Sequence, residues 1–143
     1  MTQEGPNAAQ AAYWNGPATR AWAREHERID ARFAPVLDLL LARAAPRPGE
    51  HVLDIGCGSG TSTIALAERV GPDGRVLGVD IAAESVEAAR RRIAAAGLAQ
   101  AEALLADAAA HPFPSGGFDL LASRFGVMFF QSRWRPSPIC GRR

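Results

Sequence analysis

Gly56, Gly58 and Gly60 stand at alternate positions directly behind the apolar run Val52-Leu53-Asp54-Ile55. Glycines at this spacing let a chain turn sharply and bring bare backbone close to a ligand. A helix that opens near Thr61 aims its free N–H groups into the same space. Asp54, just before the glycines, can hold that loop or accept a hydrogen bond from a cationic ligand. A ligand-free tight turn explains the glycines less well, because three in five residues weaken a fold without a gain in packing.

Two further acids stand at comparable places. Asp80 closes the run Arg75–Asp80, where a carboxylate suits bidentate acceptance from the two hydroxyls of a ribose. Standing alone, it would be a solvated carboxylate. Asp107 follows Ala101–Leu105 and has two readings. Its carboxylate, or the neighbouring Ala108 amide, can reach an adenine edge; equally, it can cap the short segment 108–111, whose amides need an acceptor. A nicotinamide-dependent oxidoreductase fits poorly: its G-x-G-x-x-G fingerprint needs a glycine where this chain has Thr61, and it has no call for Asp54.

The remaining reactive residue types read as structural. His26 falls on a solvated helix face, His51 at a strand entrance, and His111 near the site's edge without a carboxylate partner in sequence. Cys57 reads as a small loop residue. Arg24, Arg28 and Arg32, with Glu25 and Glu27 nearby, form a solvated stripe. Cys57 and Cys140 lack metal-ligand spacing and are too few for a disulfide scaffold. No metal site and no dedicated catalytic residue emerge.

The elements that must position these residues follow from periodicity. Residues 1–12 are polar and expected to fray. A helical region, 13–45, is expected to open at Asn15-Gly16-Pro17 and to restart at Pro35, with Trp22, Ile29 and Phe33 on one face and Val36, Leu37, Leu40 and Leu41 on another. Pro46-Arg47-Pro48-Gly49 ends it. Strands are then predicted at His51–Ile55, Arg75–Asp80, Ala101–Leu105 and Phe118–Ala122. Helices are predicted at Thr61–Val70 and 83–96. Alternating strands and helices predict an α/β, Rossmann-like, doubly wound parallel sheet in the order 3-2-1-4, with helices on both faces. Val52, Leu53, Ile55, Val76, Leu77, Val79, Leu104, Leu105, Leu120 and Leu121 should form its core. Ligands of such sheets bind at the strands' C-terminal edge.

The chain has 143 residues, 48% hydrophobic and 22% charged, which fits one globular domain rather than disorder. All 16 basic residues are arginine, set against 15 acids. A net charge of +1 gives no general attraction to nucleic acid or an anionic membrane. No stretch approaches a membrane span and no signal peptide is visible, so a cytoplasmic location is expected.

The stretch 50–125 resembles a class I S-adenosylmethionine-dependent methyltransferase. Asp54-Ile55-Gly56-Cys57-Gly58-Ser59-Gly60 is similar to that family's first motif, which contacts the cofactor's methionine part. Gly78-Val79-Asp80 resembles the second, which binds the ribose, and Ala106-Asp107-Ala108 the third, beside the adenine. Phe118 to Arg124 resembles the fourth strand and the rim of the substrate cleft. Tyr13-Trp14-Asn15-Gly16-Pro17 and Ser123 to Phe130 look like the small-molecule subgroup related to ubiquinone and menaquinone biosynthesis, whose N-terminal helices lie over the cofactor. The resemblance implies cofactor contacts from Asp54, Gly56, Cys57, Gly58 and Gly60. It adds Asp80 with Ile81, Asp107 with Ala108, and Ser123. It also implies methyl transfer to a small-molecule acceptor.

Two departures stand out. Ala82 takes the place of the usual Ser or Thr cap of the second helix, at a cost of about 1 kcal/mol. The resemblance also stops at Phe130, whereas the family's sheet has seven strands. Residues 131–143 carry four Arg, no acid and two prolines, without apolar period, and read like translation in another frame. Hence 46–130 is expected to be a partial cofactor-binding domain and 131–143 an irregular tail. A non-catalytic, cofactor-binding fragment is then the alternative to an active enzyme. The uncovered fourth strand is expected to promote self-association.

Overall fold

A computed structural model gives the architecture of residues 7–124. Four strands, β1 (His51–Ile55), β2 (Arg75–Asp80), β3 (Ala101–Leu105) and β4 (Leu120–Ala122), form one sheet in the order β3-β2-β1-β4. Every pairing is parallel. The helices are α1 (Ala8–Trp14), α2 (Ala21–Arg24), α3 (His26–Ala44), α4 (Thr61–Val70) and α5 (Ala83–Ala95).

Side-chain alternation divides the core. Val52 and Val76 pack with Leu41 of α3 and with Leu66, Ala67 and Val70 of α4. Ala103 of β3 packs with Val86, Ala89 and Ile93 of α5. The alternate positions, Leu53, Ile55 and Val79, meet Ala108, Phe113 and Phe118 instead. Among the described residues, therefore, helices cover one face and the segment 106–118 covers the other. The parallel Rossmann-like sheet in the order 3-2-1-4 is as expected, with α3, α4 and α5 on one face among the described residues. The two right-handed crossovers β1-α4-β2 and β2-α5-β3 step the same way across the sheet, so both helices land on the same side.

The expected core also contracts. Val52, Leu53, Ile55, Val76 and Val79 are fully buried, but Leu77, Leu104, Leu105, Leu120 and Leu121 are only partly so. Four of these five lie on β3 and β4, which border the sheet and, among the described residues, have a strand neighbour on one side only. β4 is shorter than expected because Asp119 serves as a clasp. Its N–H donates to the His51 carbonyl, 2.8 Å, and its carboxylate accepts the His51 N–H, 2.9 Å.

The N-terminal region differs most from expectation. Residues 8–12, expected to fray, are helical in α1. Asn15 closes α1 instead of opening a helix: its Nδ2 donates to the Ala11 carbonyl, 2.7 Å. α3 runs unbroken through Pro35, at the loss of one backbone donor. It ends at Ala45, in the left-handed region at φ 41°, before Pro46. The expectations for residues 1–6 and 125–143, including the tail, lie outside the described residues. No helix among the described residues is long and apolar enough to cross a membrane.

Candidate cofactor and substrate site

The C-terminal ends of β1, β2 and β3 open into a cavity of about 390 Å³, within the range of roughly 300–1,000 Å³ usual for small-molecule sites. Gly56 and Gly58 border it below, Asp80, Ile81 and Ala82 at the end of β2, and Asp107 and Ala108 after β3.

The glycine loop is held by backbone bonds. The N–H groups of Gly56 and Cys57 both donate to the Val79 carbonyl, at 2.8 and 3.1 Å. Gly56 and Gly58 have φ of 71° and 56°, a conformation glycine adopts without strain. Nothing stands within 4 Å of where a Cβ on Gly58 would project, so a side chain there would enter open space at the rim. Gly60 has a different task. At φ 91° it brings α4 against α5, where an added Cβ would lie 3.0 Å from the Ala89 Cβ.

Asp54 sits beneath the loop and does not border the cavity. It is fully buried, and its Oδ2 accepts from Ser62 Oγ at 2.7 Å and Thr63 Oγ1 at 2.8 Å. Its Oδ2 ties β1 to the first turn of α4, while its buried Oδ1 makes no hydrogen bond among the described residues. Burial pushes its carboxyl up to about 6, against the opposing pull of the two hydroxyls and of Arg124. Gly78 makes room for this arrangement, since a Cβ there would come within 2.5 Å of Thr63 Oγ1 and 2.9 Å of the Cys57 Cβ. Cys57 is buried as well, and burial pushes its thiol up. Cys57, Gly60 and Ser123 do not border the cavity.

Asp80 does. Its Oδ2 accepts the Gly58 N–H at 2.8 Å and its Oδ1 the Ala82 N–H at 2.9 Å. Burial raises its carboxyl, offset by the amides of Ala82, Gly58 and Ile81. Each oxygen keeps a second lone pair for a ligand hydroxyl. Asp107 is both a cap and a residue of the cavity wall. It caps the following turn, accepting from the Ala109 N–H at 3.0 Å, and it borders the cavity. It is also tied to the N-terminus: Asn7 donates through its backbone N–H, 3.2 Å, and its Nδ2, 2.8 Å.

α1 to α3 form the remaining wall with Trp14, Trp22, His26, Ile29, Asp30 and Phe33. Trp14 and Trp22 meet edge to face at 5.8 Å. His26, expected in solvent, borders the cavity, with Nδ1 3.2 Å from the Ala23 carbonyl. A carbonyl only accepts, so Nδ1 carries the proton. Arg24 and Arg28 are solvated as expected, paired with Glu84 and Glu25. The missing cap at Ala82 is replaced from a distance. Asn15 Oδ1 accepts the Ala83 N–H at 2.9 Å, while Asn15 Nδ2 donates to the Ile81 carbonyl at 2.9 Å.

Sequence reasoning missed Asn7, Asn15 and Asp30. Asp30 accepts from Thr61 Oγ1 and faces Arg92 Nη2 at 3.6 Å and Arg124 Nη2 at 3.7 Å. These partners lie far away in the chain, and no local pattern marks them.

A methyltransferase-domain family model matches residues 52–137, more than half of the chain and beyond Phe130, where the resemblance was expected to stop. The chain is 42% identical over 98 residues to nocamycin O-methyltransferase of Saccharothrix syringae, covering 68% of this chain and 35% of that protein. It is 46% identical over 74 residues to demethylmenaquinone methyltransferase of Symbiobacterium thermophilum, covering 51% of this chain and 30% of that one. Among solved structures, it is similar to coclaurine N-methyltransferase bound to N-methylheliamine and S-adenosylhomocysteine. There the TM-score is 0.55 and the identity 30%, over 62% of this chain and 25% of that one. The chain thus spans about a third of the length of these curated relatives. With the parallel 3-2-1-4 sheet, its glycine loop and the acids ending β2 and β3, these matches place the chain in the class I S-adenosylmethionine-dependent methyltransferase family.

Proposed function

We propose that the cavity binds S-adenosylmethionine and serves methyl transfer to a small-molecule acceptor, in a protein of the cytoplasm. One observation carries this reading: the glycine loop, Asp80 and Asp107 come from three successive strands and converge on one cavity. The residues fit the group. Asp80 has lone pairs left for two ribose hydroxyls after serving Gly58 and Ala82. Ile81 and Ala108 offer apolar surface to an adenine, and Asp107 a polar edge. Gly56 and Gly58 leave room beside the loop for the amino-acid portion. Asp54 supports the loop from below.

When bound, the cofactor supplies a methyl group made electrophilic by its sulfonium. The chain's own contribution is to hold and orient. Bare backbone at Gly58 admits the ligand closely, and Trp14, Trp22 and Phe33 offer apolar surface to an acceptor. Fixing two reactants in line can lower a barrier by several kcal/mol without a dedicated acid or base. Two of the relatives named above are, by name, methyltransferases of nocamycin and demethylmenaquinone, which supports a small organic acceptor for the apolar wall. β4 has no second strand neighbour among the described residues, and this supports self-association along that edge.

Calorimetric titration of the full chain tests the reading. S-adenosylhomocysteine should bind with one-to-one stoichiometry and NAD⁺ should not. Binding of NAD⁺ alone would reject it.

A further inference from the structure

Arg124 follows β4 and borders the cavity on the side of β1 away from Asp80 and Asp107. Its side chain is 16% exposed. Its Nη1 is buried and has no hydrogen-bond partner among the described residues. Buried donors are nearly always satisfied, so an orphan on a cavity wall marks a place where a ligand acceptor belongs.

The neighbouring charges do not fill that place. Asp30 faces Arg124 Nη2 at 3.7 Å, too long for a direct hydrogen bond. The same carboxylate accepts from Thr61 Oγ1 and faces Arg92. Arg92 spends its Nη1 on the Ser59 carbonyl at 2.8 Å and on Thr61 Oγ1 at 2.9 Å. Asp54 commits its Oδ2 to Ser62 and Thr63, and its Oδ1, buried like Arg124 Nη1, makes no hydrogen bond among the described residues, so Asp54 acts on Arg124 through its charge alone. Asp30 therefore anchors the guanidinium while leaving donors unused, and a guanidinium fork matches a carboxylate bidentately.

We propose that Arg124, anchored by Asp30, is the anion receptor of this cavity and takes a carboxylate of a bound ligand. The proposal rests on the reading of the cavity as a cofactor and acceptor site. That carboxylate comes from one of two sources: the cofactor's own amino-acid end, or an acid group on the acceptor.

Three probes separate these sources: S-adenosylhomocysteine, 5′-methylthioadenosine, which has the nucleoside without the carboxylate, and benzoate. Each is titrated into the wild-type chain and Arg124→Gln, with benzoate added to protein saturated with 5′-methylthioadenosine. A cofactor carboxylate predicts that Arg124→Gln binds S-adenosylhomocysteine about 10- to 100-fold more weakly and 5′-methylthioadenosine unchanged. An acceptor carboxylate predicts that both nucleosides bind unchanged while benzoate is lost. Unchanged 5′-methylthioadenosine affinity also reports that the variant is folded. Arg124→Lys, which keeps the charge but not the fork, should fall between wild type and Arg124→Gln. If none of the three probes loses affinity selectively in Arg124→Gln, the proposal is overturned. If neither nucleoside binds wild-type protein, the cofactor reading fails separately, and benzoate alone then decides the role of Arg124.

Discussion

The Gly58 N–H donates to Asp80 Oδ2 at 2.8 Å, joining the loop after β1 to the last residue of β2. The acid assigned to the ribose thus also sets the shape of the loop assigned to the methionine end. Its other oxygen holds the Ala82 N–H at the start of α5. One carboxylate positions three parts of the site, so its replacement has both a structural and a binding consequence.

Asp80→Ala should weaken S-adenosylhomocysteine binding by about 1.5–3 kcal/mol, because it removes a charged acceptor from two hydroxyls. It should also lower the melting temperature by a few degrees, since two backbone donors lose their partner. Asp80→Asn keeps one acceptor and should recover part of the stability. Calorimetry and thermal melting on the same samples separate the two effects; unchanged affinity in Asp80→Ala would reject the ribose assignment.

Asp54 makes stability depend on pH in an unusual direction. Its carboxyl is raised from 3.8 to about 6 in the folded protein, so the native state holds the proton more tightly than the unfolded chain. The contribution is fully present below about pH 4 and is lost as pH rises through about 6. The difference amounts to about 3 kcal/mol. Asp54→Asn, which cannot titrate, should not show this loss. Urea unfolding of both proteins at pH 4 and pH 7.5 measures it, and an Asn variant with the wild-type pH dependence would exclude Asp54 as the source.

Gly78→Ala should destabilise the fold by about 1–3 kcal/mol. The added carbon would meet Thr63 Oγ1 and Cys57, which sit on the path from β1 into α4. Gly58→Ala meets no such obstacle and acts at the rim, so it should affect ligand affinity more than packing, apart from the strain of its positive φ. Denaturant midpoints beside calorimetry show whether the two glycines divide in this way.

Asn15→Ala should loosen α1 without unfolding the sheet. Asn15 bonds to Ala11, Ile81 and Ala83, and the loss of a distant cap costs about 1–2 kcal/mol. Hydrogen exchange should quicken in residues 8–14 and at the start of α5, and stay slow in β1 and β2. Uniform quickening would mean that α1 is not a separately held element.

The sheet was legible because its signals are local. Short apolar runs that stop before Gly56, at Asp80 and before Ala106-Asp107 mark the strand ends at Ile55, Asp80 and Leu105. The wall over the cavity was not, because its contacts carry no period. Asn7 reaches Asp107, Asn15 reaches Ala83, and Asp30 reaches Thr61, at separations of 100, 68 and 31 residues. Asn15-Gly16-Pro17 has the composition of a helix start, yet tertiary partners for the Asn15 amide made it a helix end. His26 reads as solvated because its neighbours Arg24 and Arg28 are; only the cavity it shares with Ile29 and Phe33 reveals that its side of the helix turns inward. Asp54 illustrates the opposite case: its place near the end of β1 is legible in the sequence, whereas its partners Ser62 and Thr63 are seen only in the structure.

A crystal structure of the full chain with S-adenosylhomocysteine tests the central claim most directly. The ribose hydroxyls are expected within hydrogen-bond distance of both Asp80 oxygens, with the adenine between Ile81 and Ala108 and the amino-acid end beside Gly56 and Gly58. A ligand seated elsewhere, or one in this cavity with its ribose away from Asp80, would contradict it.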